Sequence, residues 1–259
     1  MRWLQHKSQK KKFPWRLRVA WRLTSIVIPW LHSSQESYFE YVESLVRPKI
    51  RILDLGGGKG FLSKWLPPHL YRRWTATIVD NAVIFNIDCD LPSLRKNPSR
   101  LSVCALAEQI PFLSSSFDLV TASMVVEHLA QPELALREVF RVLKPGGAFL
   151  FHTPNLLFPP VMLSRMLSHS LKRAIVPVLE GGRQSEDVFP TLYRMNTKGT
   201  IASVASQEGF RIEWLHHVFT APVTQMLGPF VFFELLIIRL FSGERFTSWR
   251  PDIICLLRK

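Results

Sequence analysis

Residues 50–60 read Ile-Arg-Ile-Leu-Asp-Leu-Gly-Gly-Gly-Lys-Gly. Ile50 to Leu55 is a short, mostly apolar run that enters glycines directly, the pattern of a buried strand followed by a tight turn. Gly56, Gly58 and Gly60 carry no Cβ, so backbone N–H groups in this turn can approach a ligand closely. A dinucleotide fingerprint needs a third small residue where Phe61 stands, and a phosphate-binding P-loop needs Gly-Lys-Ser/Thr, whereas Phe61 follows Gly60. Asp54, just before the glycines, would repel a pyrophosphate and suits a cation instead.

On either side of this turn, apolar runs alternate with helical periods. Gln35 to Val46 predicts a helix with Phe39, Val42, Leu45 and Val46 on one face, ended by Pro48. Phe61 to Leu66 opens a helix that Pro67-Pro68 stops. Thr75 to Val79 predicts a second strand ending at Asp80, Leu101 to Leu106 a third, and Phe117 to Ser123 a fourth. Pro132 to Leu143 is a helix, Pro145-Gly146-Gly147 its turn, and Ala148 to His152 a fifth strand. Near the end, Thr197 to Gln207 is a helix closed by Gly209, while Phe210 to Val218 and Ile253 to Leu257 are two final strands. The alternation predicts an α/β fold: a doubly wound, mostly parallel seven-stranded sheet with helices on both faces, whose last two strands extend the parallel core. Asp80 lies about 20 residues past the glycine turn, where an acidic side chain accepts from ribose hydroxyls; the alternative is a helix N-cap. Val83 to Pro98 is irregular for the helix expected after the second strand, and Asp88 and Asp90 read as exposed loop carboxylates.

Several motifs in order resemble class I S-adenosylmethionine-dependent methyltransferases. Ile52 to Gly60 resembles their first motif. Ala107-Glu108-Gln109-Ile110-Pro111-Phe112 followed by Ser116-Phe117-Asp118-Leu119-Val120 resembles the A-E-x-L-P-F … S-F-D-x-V stretch of the small-molecule branch that includes quinone-biosynthesis enzymes. Glu127-His128-Leu129 and Arg141-Val142-Leu143-Lys144-Pro145-Gly146-Gly147 continue the match, which covers about residues 50–155. The resemblance implies a Rossmann-like methyltransferase sheet and S-adenosyl-L-methionine as cofactor. It implies that Gly56, Gly58 and Gly60 face the methionine part, with Asp54 near its amino group. Asp80 would hold the ribose, Asn81 would sit beside the adenine, Ala107 and Glu108 would border the adenine edge, and Ser123 would border the transferable methyl. One departure is Leu106, where the family often has the Asp that accepts from the adenine amine. Adenine recognition would then lean on backbone groups, or cofactor affinity would be reduced.

Methyl transfer from a sulfonium needs in-line positioning, and a base when the acceptor carries a proton. No metal is expected. His128 and His152, just past strand ends on the cofactor edge, are the candidate bases, with capping or packing histidines as the alternative. Tyr193 lies in a polar-aromatic loop, 187–197, that either closes over substrate or merely connects. The cysteines Cys89, Cys104 and Cys255 form no C-x-x-C pair, which argues against a zinc site or a disulfide framework and fits a reduced, cytoplasmic compartment.

Composition separates the chain's start from its body. Of the 259 residues 47% are hydrophobic and 20% charged, enough apolar content for one sizeable domain. The formal net charge is +13. Arg2, Lys7, Lys10, Lys11, Lys12, Arg16, Arg18 and Arg22 all precede the first acid, Glu36, with tryptophans among them. Residues 1–34 thus read as a basic arm, and 35–259 as the methyltransferase domain with hydrophobic additions at 156–179 and 218–241. Basic charge interleaved with aromatics suits an anionic membrane surface better than a nucleic-acid tail, a solvated arm being the bland alternative. The apolar stretch Val19 to Leu31 is interrupted by Arg22 and Pro29 and shows no clear signal-peptide cleavage site. Residues 218–241 are the most apolar part of the chain, yet Pro222, Gly228, Pro229, Glu234 and Arg239 interrupt them, so a lid or membrane-lying hairpin is expected over a span, with a core helix as the alternative. The expected function is methyl transfer to a small-molecule or lipid-linked acceptor, in the cytoplasm and peripheral to a membrane. The rivals are an inactive methyltransferase-like binding protein and a nucleic-acid methyltransferase. No Asn/Asp-Pro-Pro-Tyr/Phe motif follows the fourth strand, so no specific nucleic-acid partner is expected.

Overall fold

The computed structural model describes residues 15–60, 78, 81–97, 99, 101–166, 168, 170–171, 189–222 and 228–259. The strands are β1 (Ile50–Leu55), β2 (Ala82–Asp88), β3 (Ser102–Cys104), β4 (Phe117–Ser123), β5 (Leu143–Pro154), β6 (Arg211–Val218) and β7 (Asp252–Arg258). They form one 7-stranded sheet in the order β3-β2-β1-β4-β5-β7-β6. β1 to β5 run parallel. The helices are α1 (Trp15–Val27), α2 (Ser34–Leu45), α3 (Leu91–Leu94), α4 (Pro132–Val142), α5 (Pro159–Arg165), α6 (Lys198–Gln207) and α7 (Val231–Leu240).

Two expectations are corrected. The second strand is Ala82–Asp88, paired along its length with β1 from Ile50↔Ala82 to Leu55↔Ile87. Of the expected strand Thr75 to Val79, and of the expected helix Phe61 to Leu66, only Ile78 lies among the described residues, and it is buried. The last two strands do not extend the parallel core: β7 is antiparallel both to β5 and to β6. β7 returns between its neighbours and is covered on both faces, so it reads as a continuous apolar run, whereas edge strand β6 alternates.

The sheet is packed on both sides, and α2, α4 and α6 owe their places to apolar stripes. α2 starts at a capping box in which the Glu36 N–H donates to Ser33 Oγ and the Ser33 N–H donates to Glu36 Oε2. It lays Tyr38 and Val42 on Ile52, Leu119, Leu150 and Ile254. The opposite face takes Leu136 and Val139 of α4 and Ile201 and Val204 of α6 against Leu53, Val120, Phe149 and Ile253.

By contact the chain divides into two compact units: residues 32–169, 189–221 and 243–259 form the sheet unit, and 1–31, 170–188 and 222–242 the other. Among the described residues, α1 and α7 fall in that second unit. Within that second unit Ala20, Val27 and Ile28 pack on Val231 and Leu235 of α7, and the Arg239 guanidinium donates to the Val27 carbonyl at 2.9 Å. Along its other side α7 and its leading residue expose Phe230, Phe233, Ile237 and Leu240. The four positions recur at helical spacing. No helix among the described residues is long and apolar enough to cross a membrane.

Candidate active site

The glycine turn closes β1 at the carboxyl edge of the sheet and is tied down on the β2 side. The Gly57 N–H donates to the Ile87 carbonyl at 3.0 Å, and the Gly58 N–H donates to Oδ2 of Asp88 at 2.8 Å. Oδ1 of Asp88 accepts from the Asp90 N–H at 2.8 Å. The Asn97 amide donates to the carbonyls of Gly57 and Gly58 at 3.2 and 3.1 Å. Gly56 has φ +67°, and a Cβ there would fall 2.3 Å from Cγ2 of Val125, so only glycine lets the segment after β4 lie against the turn.

Asp88 therefore stands where the sequence reading put Asp80, at the end of the strand beside the glycines. Asp80 itself lies outside the described residues. Asn81 precedes β2, and its carbonyl accepts from the Ile50 N–H at 3.2 Å. This puts Asn81 at the amino end of β1, opposite the glycine turn, and not beside an adenine site there. The cause is the strand assignment: two apolar runs, each ending in Asp, follow the glycine turn, and only pairing selects the second. The loop that carries Ala107 and Glu108 starts beside Asp88: the Ala105 N–H donates to the Asp88 carbonyl at 3.1 Å. Ala107 and Glu108 are half-buried in that loop, and Leu106 is 52% exposed.

Successive side chains of a strand point to opposite faces. The alternation that puts Ile52, Leu119, Leu150 and Ile254 under α2 continues at the carboxyl edge with polar residues. Thr121 Oγ1 donates to Oδ1 of the buried Asp54 at 2.9 Å. Burial pushes the Asp54 carboxyl well above the usual carboxylate range; the Thr121 hydroxyl opposes the shift and the Asp88 charge adds to it. On the next strands Ser123 Oγ lies 3.4 Å from Nδ1 of His152, and Nε2 of His152 lies 3.1 Å from Oδ2 of Asp252. His152 is 1% exposed, and the Tyr38 ring packs on it at 5.7 Å between centroids.

His128 is placed differently. It lies in a helical turn, Val126–His128, after β4; its Nδ1 is 2.7 Å from the Pro190 carbonyl and its Nε2 3.8 Å from Glu127 Oε1. Glu127 is buried and accepts from Thr153 Oγ1 at 3.0 Å, while its backbone carbonyl accepts from the N–H groups of Leu192 and Tyr193. Burial raises the Glu127 carboxyl, and the nearby His128 counters this. The Asn196 amide donates to Thr153 Oγ1 and to the Pro154 carbonyl. His128 and Glu127 thus fasten the 189–197 segment to the end of β5, and His152 is the histidine that meets Ser123. Sequence reasoning gave no role to Asp88, Asn97, Thr121 or Asp252. For Asp88 the signal was present, since Val83-Ile84-Phe85 leads to Ile87-Asp88 much as Ile52-Leu53 leads to Asp54. Among the described residues no cluster of His, Cys, Asp and Glu suits a metal ion.

Comparison with known proteins agrees with this architecture. Residues 53–151 match the family model described as a methyltransferase domain. A mitochondrial 2-methoxy-6-polyprenyl-1,4-benzoquinol methylase of Caenorhabditis elegans is 35% identical over 178 residues, which are 66% of this chain and 62% of that one. A ubiquinone/menaquinone biosynthesis C-methyltransferase of Vibrio parahaemolyticus is 38% identical over 108 residues, 40% of this chain and 41% of that one. The chain thus spans about half the length of the relatives it matches. Among solved structures, an S-adenosylmethionine-dependent methyltransferase of Mesorhizobium loti superposes with a TM-score of 0.55 at 18% identity, over 88% of this chain and 98% of that one. The fold is that of the class I methyltransferases, and the sequence resembles their quinone-biosynthesis branch.

Proposed function

We propose that this chain, a class I methyltransferase by fold and by the match over residues 53–151, transfers a methyl group from S-adenosylmethionine to a small-molecule or lipid-linked acceptor of the quinol type. The observation that carries the cofactor is the pairing of two carboxylates, Asp54 and Asp88, on the glycine turn. Asp54 is buried with its carboxyl pushed up by burial and by Asp88, so a cationic ligand relieves both effects and a pyrophosphate would worsen them. S-adenosylmethionine brings an ammonium and a sulfonium. In this reading Gly56, Gly58 and Gly60 line the methionine part, Asp54 answers the amino group, Asp88 holds the ribose, and the loop of Ala107 and Glu108 borders the adenine. Ser123 faces the methyl. The acceptor class rests on the relatives, one of which is by name a benzoquinol methylase. Calorimetry on the purified chain should show binding of S-adenosylmethionine and S-adenosylhomocysteine that NAD does not displace. Labelled methyl transfer to a short-chain 2-methoxy-6-alkyl-1,4-benzoquinol tests the acceptor. Binding of NAD without binding of S-adenosylmethionine refutes the cofactor.

The same proposal places the protein in the cytoplasm, at the surface of an anionic membrane. The exposed stripe Phe230, Phe233, Ile237 and Leu240 and the exposed Arg16, Arg18 and Arg22 of α1 belong to one compact unit. Each basic residue near an anionic bilayer contributes about 1 kcal/mol, which salt screens, whereas buried apolar rings are not screened. Sedimentation with phosphatidylserine-containing vesicles should remove the chain from the supernatant. Phe233→Asp with Ile237→Asp should abolish the part that survives high salt. A chain that stays in solution with every vesicle and salt refutes the membrane location.

A further inference from the structure

We infer that Ser123, His152 and Asp252 form a proton relay serving the methyl acceptor, with Ser123 as the group that meets the acceptor and His152 and Asp252 as positioning residues behind it. The inference rests on the proposed methyl transfer. Three strands supply the three residues: β4 ends at Ser123, β5 pairs His152 with Ser123, and antiparallel β7 brings its first residue, Asp252, to the same edge. A buried imidazole needs partners for both nitrogens. Oδ2 of Asp252, an acceptor, lies 3.1 Å from Nε2, so Nε2 carries the proton. Nδ1 is left as an acceptor, 3.4 Å from the Ser123 hydroxyl. Ser123 is only partly buried, whereas His152 is sealed from solvent. The tilted Tyr38 ring covers His152 from α2 and fixes its plane. The two partners differ in exposure: Asp252 is buried behind the ring, whereas Ser123, partly exposed, stands before it at the carboxyl end of β4.

The step balances without a further reagent. The acceptor's nucleophilic atom forms a bond to the methyl carbon as the carbon–sulfur bond breaks and its electron pair stays on sulfur. The acceptor's proton passes to Ser123 Oγ, and the hydroxyl proton passes to Nδ1 of His152. The imidazolium so formed is held by the Asp252 carboxylate. The charged and titratable groups facing His152 are Asp252 from β7, Tyr38 from α2 and, through its field, Glu127 from the turn after β4.

The test is the pH profile of kcat on the full chain with S-adenosylmethionine and a short-chain 2-methoxy-6-alkyl-1,4-benzoquinol. Wild-type kcat should rise with pH to a plateau. Ser123→Ala and His152→Gln should each lower plateau kcat by about a hundredfold or more, the scale of general-base catalysis, with KM for S-adenosylmethionine little changed. Asp252→Asn should lower kcat and move the acid limb to lower pH, because the imidazolium loses its counter-charge, and Asp252→Glu should restore much of both. Glu127→Gln, at a residue that makes no hydrogen bond to the ring, should move the limb less than Asp252→Asn. Ser123→Ala is a small change at a partly exposed site and keeps the test decisive if the buried variants fail to fold. A wild-type chain that binds cofactor but transfers no methyl at any pH overturns the acceptor class and the relay with it. Transfer by wild type with kcat and acid limb unaltered in Ser123→Ala overturns the relay alone.

Discussion

Replacing Asp88 by Asn separates the ribose site from the strand assignment. The change keeps the shape and removes one charge and one acceptor oxygen. Oδ2 now accepts from Gly58 and Oδ1 from Asp90, each at 2.8 Å. Every carboxylate oxygen has a second lone pair, so both ribose hydroxyls can still be accepted. In the amide, one backbone N–H faces an NH2 group and one hydroxyl loses its acceptor. Hydrogen bonds to a charged group are worth about 1.5–3 kcal/mol. Affinity for S-adenosylhomocysteine should therefore fall by about tenfold to a hundredfold. The free protein should lose on the order of 1–3 kcal/mol of stability from the opposed N–H. Calorimetric titration gives the first quantity and urea unfolding the second. Asp80→Asn, made in parallel, should leave the affinity close to wild type. Weakened binding in Asp80→Asn with normal binding in Asp88→Asn would refute both the ribose role and the argument from strand pairing.

Four further outcomes follow from the site and the second unit. The raised carboxyl of Asp54 contributes stability that is full below its unfolded-state pKa and is lost as pH rises through the folded one. Asp54→Asn should accordingly be more stable than wild type at neutral pH in urea unfolding, yet bind S-adenosylmethionine more weakly. Binding of that cation to wild type should favour the ionised carboxylate and release protons, so affinity rises with pH; calorimetry in two buffers of different ionisation enthalpy detects the release, and Asp54→Asn should lack it. Leu106→Asp, at an exposed position, should fold normally and tighten cofactor binding by up to about 1–2 kcal/mol if the side chain reaches the adenine amine. Gly56→Ala should lower the unfolding midpoint and weaken cofactor binding together, because its methyl overlaps Val125 and its φ is positive.

What the sequence reveals depends on how local the cause is. β1 and β4 occupy the residues their apolar runs predict, because a strand buried on both faces is written in its own composition. α6 follows from Thr197, whose hydroxyl accepts from the Thr200 N–H, a cap set within one turn. The second strand is not local. Thr75 to Val79 and Val83 to Ile87 are both apolar runs followed by Asp, and the choice between them lies in the pairing with β1 and β3. The direction of β7 is likewise decided by its neighbours. Nor did sequence distinguish His128 from His152, since each follows or ends a strand. The partner that separates them, Asp252, is a hundred residues from His152 in the chain and is delivered by the antiparallel return.

One geometric rule accounts for the polar edge as a whole. Period-two alternation fixes which side chains lie under α2, and parallel pairing sets Ile52 beside Leu119 and Asp54 beside Thr121, with Leu150 level with Thr121 and His152 level with Ser123. Toward the middle of the sheet that face holds Ile52, Leu119 and Leu150, which anchor α2 through Tyr38 and Val42. One step further along each strand come Asp54, Thr121 and His152, buried by the same helix that the apolar residues hold in place. The hydrophobic layer thereby sets the position of α2, and α2 sets the desolvation of Asp54. It is that desolvation, more than the number of carboxylates, that makes the glycine turn a site for a cation.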